Sequence, residues 1–534
     1  MAEKGFRFVL TASRVEMSSF GNSWMQAMRA SFPQKLAGPF VRKYLKPSAL
    51  PDGSAREAPY GLRKIEAILK NAFGDKNVVV SHPDNLDLFV GPSTEAVMIS
   101  SMDPLGLAYV SSTYNPMIGF GGKAVTRVEF ERVLKLPVLR KYRPKIIVGG
   151  FGVWQIRDSG LQEKLGVDIL IAGECEDELV SIINAMETGT LKHNYIRTTK
   201  LKDFGKVPLI EGAATFGSVE ITRGCGRRCQ FCSPDFRTKY DFPLDHIINE
   251  VETNIRYGLD SAYLVTEDIF LYGNDSKMNP SREKLGKLLK AITVKEEIRE
   301  IAASHASLVP VIIDNKLLEE ITPVIIDKSH YSLNGKKFIG VDVGIESGSV
   351  RMMKRYMSGK SYPLPIERWP EIVVEGTGIF NDNDWYPMYT FVMGLPGESP
   401  EDVVANLELL DNLKNSKIFL VPLMFVPLEE AILRNERRRG FESLTDLHWE
   451  FILRCWNYNL KLWAKNISPI VKSSALALYP YLRHVHGHNV ARSMLRFIGF
   501  PVKGPLEFVS WKRCETDYCS GSDKQEIEPI IIRK

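Results

Sequence analysis

The chain has 534 residues, a net charge of +5, 44% hydrophobic and 25% charged residues, an ordinary globular composition long enough for about three to four domains, or fewer around one large α/β barrel. No basic block marks a nucleic-acid surface, and no run of about eighteen apolar residues marks a membrane span. The seven cysteines form no regular disulfide framework, so a cytoplasmic protein is expected, with clustered cysteines serving metal or redox chemistry.

Residues 1–75 read as an N-terminal extension. Phe8 to Ala12 is a short apolar stretch without a signal-peptide cleavage pattern. Tyr60 to Phe73 reads as an amphipathic helix, with Leu62, Ile65, Ile68, Leu69 and Phe73 at helical spacing. From 76 to 205, apolar runs at Val78–Val80, Ala96–Ser100, Lys145–Val148 and Asp168–Ile171 alternate with helix-like stretches. That alternation predicts a Rossmann-like parallel sheet covered by helices. His193 to Lys206 is polar and reads as a linker.

From 206 to 430 a second series follows, with strands at Ser218–Thr222, Ala262–Thr266, Glu300–Ser304, Phe338–Gly344, Tyr389–Met393 and Lys417–Val421. Helices are expected at Asp245–Tyr257 and Glu401–Leu413, the second opened by Ser399 as N-cap, Pro400 and Asp402. Six β/α units suit a partial barrel, whose active site lies at the C-terminal ends of its strands. Residues 431–534 read as a smaller, partly helical C-terminal domain. The fold class is α/β.

The strongest signal is Cys225-Gly-Arg-Arg-Cys229-Gln-Phe-Cys232, directly after the first strand of the second series. Three thiolates can hold three irons of a [4Fe–4S] cubane and leave the fourth open. Phe231 can shield the cluster, and Arg223, Arg227 and Arg228 favour ionised thiols. A structural zinc site would need a fourth ligand in paired C-x-x-C form, and Cys514 and Cys519 are distant and poorly spaced for it.

The triad resembles the signature of the radical S-adenosylmethionine superfamily. Further matches come in order: Glu267-Asp268 ending the second strand, Glu346-Ser347-Gly348-Ser349 after the fourth, and Gly394-Leu-Pro396-Gly397 after the fifth. The resemblance implies S-adenosylmethionine on the open iron, with Glu267 and Asp268 at its amino group and Glu346 at its ribose. Ser304, Ser347, Gly394 and Pro396 would lie along the rest of the molecule. One electron from an external donor, such as a ferredoxin or flavodoxin, would cleave it to methionine and a 5′-deoxyadenosyl radical.

The region from 76 to 205 looks like the cobalamin-binding domain of one branch of that superfamily. The matching pieces are Ser101, Asp103, Leu105 and Gly106; Ser111, Ser112 and Thr113; Gly149 and Gly150; and Gly173 and Glu174. All follow strands, where open α/β sheets place ligands. The D-x-H-x-x-G cobalt-ligand motif is absent, and Cys175 stands where the branch usually has glycine. Cobalamin, as methylcobalamin, would then pass a methyl group to a substrate radical at an sp³ carbon.

Four stretches, Phe8–Arg14, Phe89–Ser93, Met102–Leu107 and Asp384–Pro387, resemble a subgroup from methanogenic archaea. Its best-known function is Cα-methylation of a glutamine in methyl-coenzyme M reductase, a protein modification; the implied partner is that enzyme's α subunit. Asp384, Trp385 and Tyr386 would then line the substrate channel, or pack a strand end. A lipid-acting relative, forming rings or cross-links, is the alternative, although the cross-linking type carries more cysteines. A non-catalytic iron–sulfur or zinc module is another, and a methylthiotransferase needs a further three-cysteine set. His484, His486 and His488 alternate as metal ligands would, or form a solvated loop.

Overall fold

A computed structural model describes residues 5–118, 122–233, 239–440 and 443–463. His484, His486, His488, Cys514 and Cys519 lie outside the described residues, as does most of the expected C-terminal domain.

The first domain contains β1 (Phe8–Ala12), α1 (Tyr60–Phe73), β2 (Val78–Val80), β3 (Ala96–Ser100) and α2 (Tyr109–Ile118). It continues with α3 (Val125–Leu134), β4 (Lys145–Gly149), β5 (Ile169–Ala172), α4 (Leu179–Glu187) and β6 (Tyr195–Arg197). The strands form a six-stranded parallel sheet in the order β2-β1-β3-β4-β5-β6. Alternation along them supplies two cores. One face packs on α1 and α4 through Leu62, Leu69, Leu179 and Ile183. The other packs on Phe130 and Val133 of α3 and on Ile156.

Two boundaries differ from the sequence reading. The sheet does not begin at residue 76, because Phe8–Ala12 is an interior strand, fully buried and paired on both sides. Its partner β2 follows some seventy residues later, so no local β/α alternation betrays it. The expected linker holds β6, an edge strand whose residues are half-buried or exposed, so it carries no apolar run.

The second domain runs through β7 (Ser218–Glu220), α5 (Leu244–Arg256), β8 (Ser261–Val265), β9 (Glu300–Ala303), β10 (Lys336–Glu346), β11 (Trp385–Met393), α6 (Pro400–Asn412) and β12 (Phe419–Met424). β7, β8 and β9 pair in parallel, as do β10, β11 and β12. Ser304 joins the two groups. Its N–H donates to the Leu264 carbonyl (3.0 Å), and its own carbonyl accepts from the Asp342 N–H (3.2 Å). His305 and Ala306 then pair with β10. The result is the expected partial barrel, and the capping box at Ser399 and Asp402 is present.

An open barrel leaves a strand edge to protect. On β12 that edge is sealed by side chains. Asn459 of α7 (Asp446–Trp463) bonds both the N–H (2.8 Å) and the carbonyl (2.7 Å) of Leu420. From α2, the Tyr114 hydroxyl donates to the Pro422 carbonyl (3.1 Å) and Thr113 accepts from the Met424 N–H (2.8 Å). The first domain thereby covers the open side of the barrel.

Candidate active site

The three cysteines lie in the loop after β7, whose base is closed where Thr222–Arg223 pair with Tyr240–Asp241. Gly224, Gly226 and Arg228 have φ values of 75°, 82° and 59°, a left-handed backbone that suits the two glycines and wraps the loop tightly. The loop is pinned from below: the Gln230 N–H donates to the Tyr356 carbonyl (2.9 Å). Arg227 donates to the Lys360 carbonyl (2.6 Å) and pairs with Asp268 (3.2 Å). Among the described residues no three His, Cys, Asp or Glu side chains are close enough to share one metal ion. A cubane asks for something different, since each thiolate binds its own iron.

Lys360 completes the site and was not singled out in the sequence. Its Nζ is 2.9 Å from Glu346 Oε1. Burial would pull its pKa down, but Glu346 and the thiols of Cys229 and Cys232 outweigh burial and raise it. Glu346 itself has φ 68° beyond a register shift in β10, a strained conformation costing about 1–3 kcal/mol. A Cβ on Gly344 would meet Glu346 Oε1 at 2.0 Å and Lys360 Nζ at 2.8 Å, so the ion pair needs that glycine. Tyr109 of α2 reaches the same place, its hydroxyl donating to the Phe231 carbonyl (3.2 Å). Its pKa is raised by burial and by Cys232 and Glu346.

Along β10, Val341, Val343 and Ile345 are buried in the shared core, while Gly340, Asp342 and Gly344 are half-buried on the opposite face. Period-two alternation therefore turns Asp342 into the barrel interior. Burial pushes its carboxyl up to about 7.

Other expected residues have internal partners. The Asp268 carboxylate accepts from Arg227, the Phe270 N–H (3.2 Å), and the Ser307 N–H (3.2 Å) and hydroxyl. It anchors the cysteine loop, while Glu267 beside it is half-buried. The Ser304 hydroxyl donates to the Thr266 carbonyl (2.5 Å) and accepts from its N–H (2.9 Å). Ser347 donates to Asn406 of α6 (3.1 Å). Gly394, at φ 76°, donates to Glu398 (2.7 Å), and the Pro396 carbonyl accepts from Tyr356 (2.7 Å).

Asp384, Trp385 and Tyr386 are not at this end of the barrel. They stand at the N-terminal end of β11, a nine-residue strand roughly 26 Å long at the usual rise. Trp385 is fully buried and donates to Thr322 (2.8 Å). Asp384 pairs with Lys336 (2.6 Å), and Tyr386 stacks on Phe338 at 4.6 Å. These residues floor the barrel, so of the two roles expected for them, channel lining and strand-end packing, the structure shows the packing.

At the domain junction lies a cavity of about 290 Å³. Gly149, Gly150, Gly173, Glu174 and Cys175 line it from the sheet, and Glu220 and Arg223 from the barrel. Arg223 forks onto Glu220 (two bonds of 2.8 Å) and reaches Glu174 (3.0 Å) and Glu176 (2.8 Å). Gly150 and Gly173 serve their own loops: a Cβ there would meet the Ser101 carbonyl or Thr198 Oγ1 at 2.7 Å.

The other expected cobalamin residues do not line this cavity. Asp103 accepts from the N–H groups of Leu107 (2.8 Å) and Ala108 (3.0 Å), from Gln155 (2.9 Å) and from Ser111. Leu105 is buried and Gly106, at φ 71°, turns the chain there. Ser101 donates to Glu16 (3.0 Å), and Ser112 to the Tyr109 carbonyl (3.3 Å). Thr113 is committed to β12. These hydroxyls build the loop before α2 and the domain contact.

Residues 219–410 match the Radical SAM superfamily. The chain carries a radical SAM domain. It is similar to the ribosomal protein uS12 methylthiotransferase RimO of Carboxydothermus hydrogenoformans, with 22% identity over 66% of this chain and 76% of that protein. It is also similar to the tRNA-2-methylthio-N(6)-dimethylallyladenosine synthase of Orientia tsutsugamushi, with 24% identity over 53% of this chain and 60% of that protein. Among solved structures it resembles the radical S-adenosylmethionine methyltransferase TsrM from Kitasatospora setae, with cobalamin and a [4Fe–4S] cluster bound. That likeness has 14% identity and a TM-score of 0.50, covering 80% of this chain and 74% of that one. It shows the fold: a sheet domain in front of a radical SAM domain. No helix among the described residues is long and apolar enough to cross a membrane.

Proposed function

We propose that this chain is a cobalamin-dependent radical S-adenosylmethionine C-methyltransferase, acting on the Cα of a glutamine in the α subunit of methyl-coenzyme M reductase. The observation that carries the class is the shared wall of the junction cavity. Arg223 stands two residues before Cys225 and holds Glu174 and Glu176 of the sheet loop, so a ligand at the sheet edge lies against the cysteine loop. The cavity is walled by apolar residues such as Met98, Ile147, Ile171 and Leu179, which suits the flat nucleotide tail of a cobalamin.

When bound, the cluster supplies the electron that cleaves S-adenosylmethionine to methionine and a 5′-deoxyadenosyl radical, and the cobalamin supplies the methyl group. In this reading Cys225, Cys229 and Cys232 hold the cluster. Glu346 receives the ribose hydroxyls, with Lys360 fixing its carboxylate, and Glu267 receives the amino group. Helix α2 seals the barrel's open side against water. The electron comes from an external carrier such as a ferredoxin or flavodoxin.

The glutamine rests on the four stretches that resemble the methanogen subgroup. The methylthiotransferase names of the curated relatives suggest sulfur insertion instead, but the sequence before the triad offers only Cys175. The test incubates reconstituted, reduced protein with methyl-labelled S-adenosylmethionine and a peptide bearing the candidate glutamine. The expected result is one methyl group per peptide, with both 5′-deoxyadenosine and S-adenosylhomocysteine formed. Label appearing in a thiomethyl group would overturn the reading.

A further inference from the structure

Next to the Lys360–Glu346 pair, the barrel interior carries polar side chains outside the S-adenosylmethionine site: Tyr263 of β8, His305, and Asp342 of β10. His305 pairs in register with Asp342, and Ala306 with Val343. Ala306 and Val343 are both buried in the shared core, so alternation turns His305 and Asp342 together onto the opposite, interior face. The next residue of β10 on that face is Gly344, where a Cβ would meet both Glu346 Oε1 and Lys360 Nζ. His305 and Asp342 therefore occupy the level of the barrel adjoining that ion pair, and the Lys360 charge is felt at His305.

Solvent reaches this level. His305 is exposed and Asp342 and Tyr263 are half-buried, yet burial is the largest influence on the pKa of each. Side chains that solvent touches and protein surrounds line a hollow. His305 Nδ1 lies 3.2 Å from the Thr266 carbonyl, and a carbonyl only accepts, so Nδ1 carries the hydrogen. Burial lowers the ring's pKa, with the Lys360 charge and against the Thr266 bond and the Asp268 charge. The ring is therefore neutral, and Nε2 is left as an acceptor. The Asp342 carboxyl has no hydrogen bond or ion pair among the described residues; burial alone acts on it, and at about 7 it keeps a proton to donate. Burial and the charge of Asp342 raise the pKa of Tyr263, which places its phenol in the same hollow. An acceptor beside a donor is the complement of an amide.

We propose that His305 and Asp342 form the substrate-recognition subsite of the barrel, His305 Nε2 accepting from the N–H of a side-chain carboxamide and the Asp342 carboxyl donating to its oxygen. The proposal rests on the glutamine reading and deepens it by naming the contacts on this chain. A glutamine held this way has its Cα three bonds from the carboxamide carbon, toward the Lys360–Glu346 pair that receives the ribose in that reading.

The experiment is fluorescence anisotropy of dye-labelled peptides against the full, cluster-loaded, unreduced chain with S-adenosylmethionine. One peptide bears the candidate glutamine, and the other has leucine in its place, of similar bulk but without the amide. Wild type should prefer the glutamine peptide about tenfold or more. His305→Leu and Asp342→Leu should each abolish that preference, while Asp342→Asn, which keeps an N–H donor, should retain it. Iron content and thermal unfolding confirm that the variants fold, and the ratio of two peptides on one variant cancels any loss of folded protein. A wild-type preference kept in either leucine variant, or lost in Asp342→Asn, would overturn the proposal, as would a wild type that binds both peptides equally. Wild type that binds neither peptide would overturn the glutamine reading itself, and these contacts with it.

Discussion

Lys360 and Glu346 form a buried ion pair, Nζ to Oε1 2.9 Å, near enough to the thiols of Cys229 and Cys232 for both to raise the lysine pKa. Removing one partner of a buried pair typically costs about 3–5 kcal/mol, because the other charge is stranded. Lys360→Met should therefore lower the unfolding midpoint, and the double variant Lys360→Met with Glu346→Gln should recover most of it. Both should lose about tenfold or more in reductive cleavage of S-adenosylmethionine, measured as 5′-deoxyadenosine released. Full cleavage activity in the stable double variant would show that the pair is structural alone.

Arg223 is the second charged hub, with three carboxylates around one buried guanidinium. Lysine cannot reproduce a fork onto Glu220 while also reaching Glu174 and Glu176. Arg223→Lys should destabilise the chain by about 3 kcal/mol or more and loosen the sheet domain from the barrel. Urea unfolding with tryptophan fluorescence and limited proteolysis near residue 200 check this. A variant as stable and as protease-resistant as wild type would contradict it.

The thiol of Cys175 lines the junction cavity, and burial pushes its pKa up to about 12. It is protonated at neutral pH and makes a poor cluster ligand. Cys175→Ser should leave iron and acid-labile sulfide unchanged, whereas serine at Cys225, Cys229 or Cys232 should abolish both. Loss of iron on changing Cys175 would point to a second cluster and revive the methylthiotransferase alternative.

Asp342 gives a pH dependence with a definite sign. Its folded carboxyl is raised to about 7 from 3.8, so between those values the folded chain holds a proton that the unfolded chain has released. Its contribution is complete below pH 4 and is lost as pH rises through 7. Asp342→Asn removes that loss. The urea midpoint of the variant should fall less than that of wild type between pH 5 and pH 8; parallel curves would show that Asp342 titrates normally.

Much of this architecture is legible in the sequence where it depends on short-range pattern. The runs at Val78–Val80 and Ala96–Ser100 became strands as written, and Ser399 with Asp402 capped α6. What escaped depends on long-range pairing or direction. β1 is recognisable only once β2 and β3 are known to flank it. Asp384, Trp385 and Tyr386 adjoin a strand that ends at the site, but they stand at its start. Lys360 lies fourteen residues beyond Glu346, in a loop with no motif of its own. The hydroxyls of Ser111, Ser112 and Thr113 looked available because sequence does not reveal that a carboxylate, a helix carbonyl and a strand edge already claim them.

Methyl transfer in this proposal depends on cobalamin, and labelled product tests that dependence. Cluster-loaded protein is reduced in the presence of methyl-labelled S-adenosylmethionine and the glutamine peptide, with and without hydroxocobalamin, which brings no methyl group of its own, and peptide label and 5′-deoxyadenosine are followed together. The account predicts labelled peptide only when cobalamin is present, in step with 5′-deoxyadenosine. Peptide labelling at the same rate in its absence would contradict it.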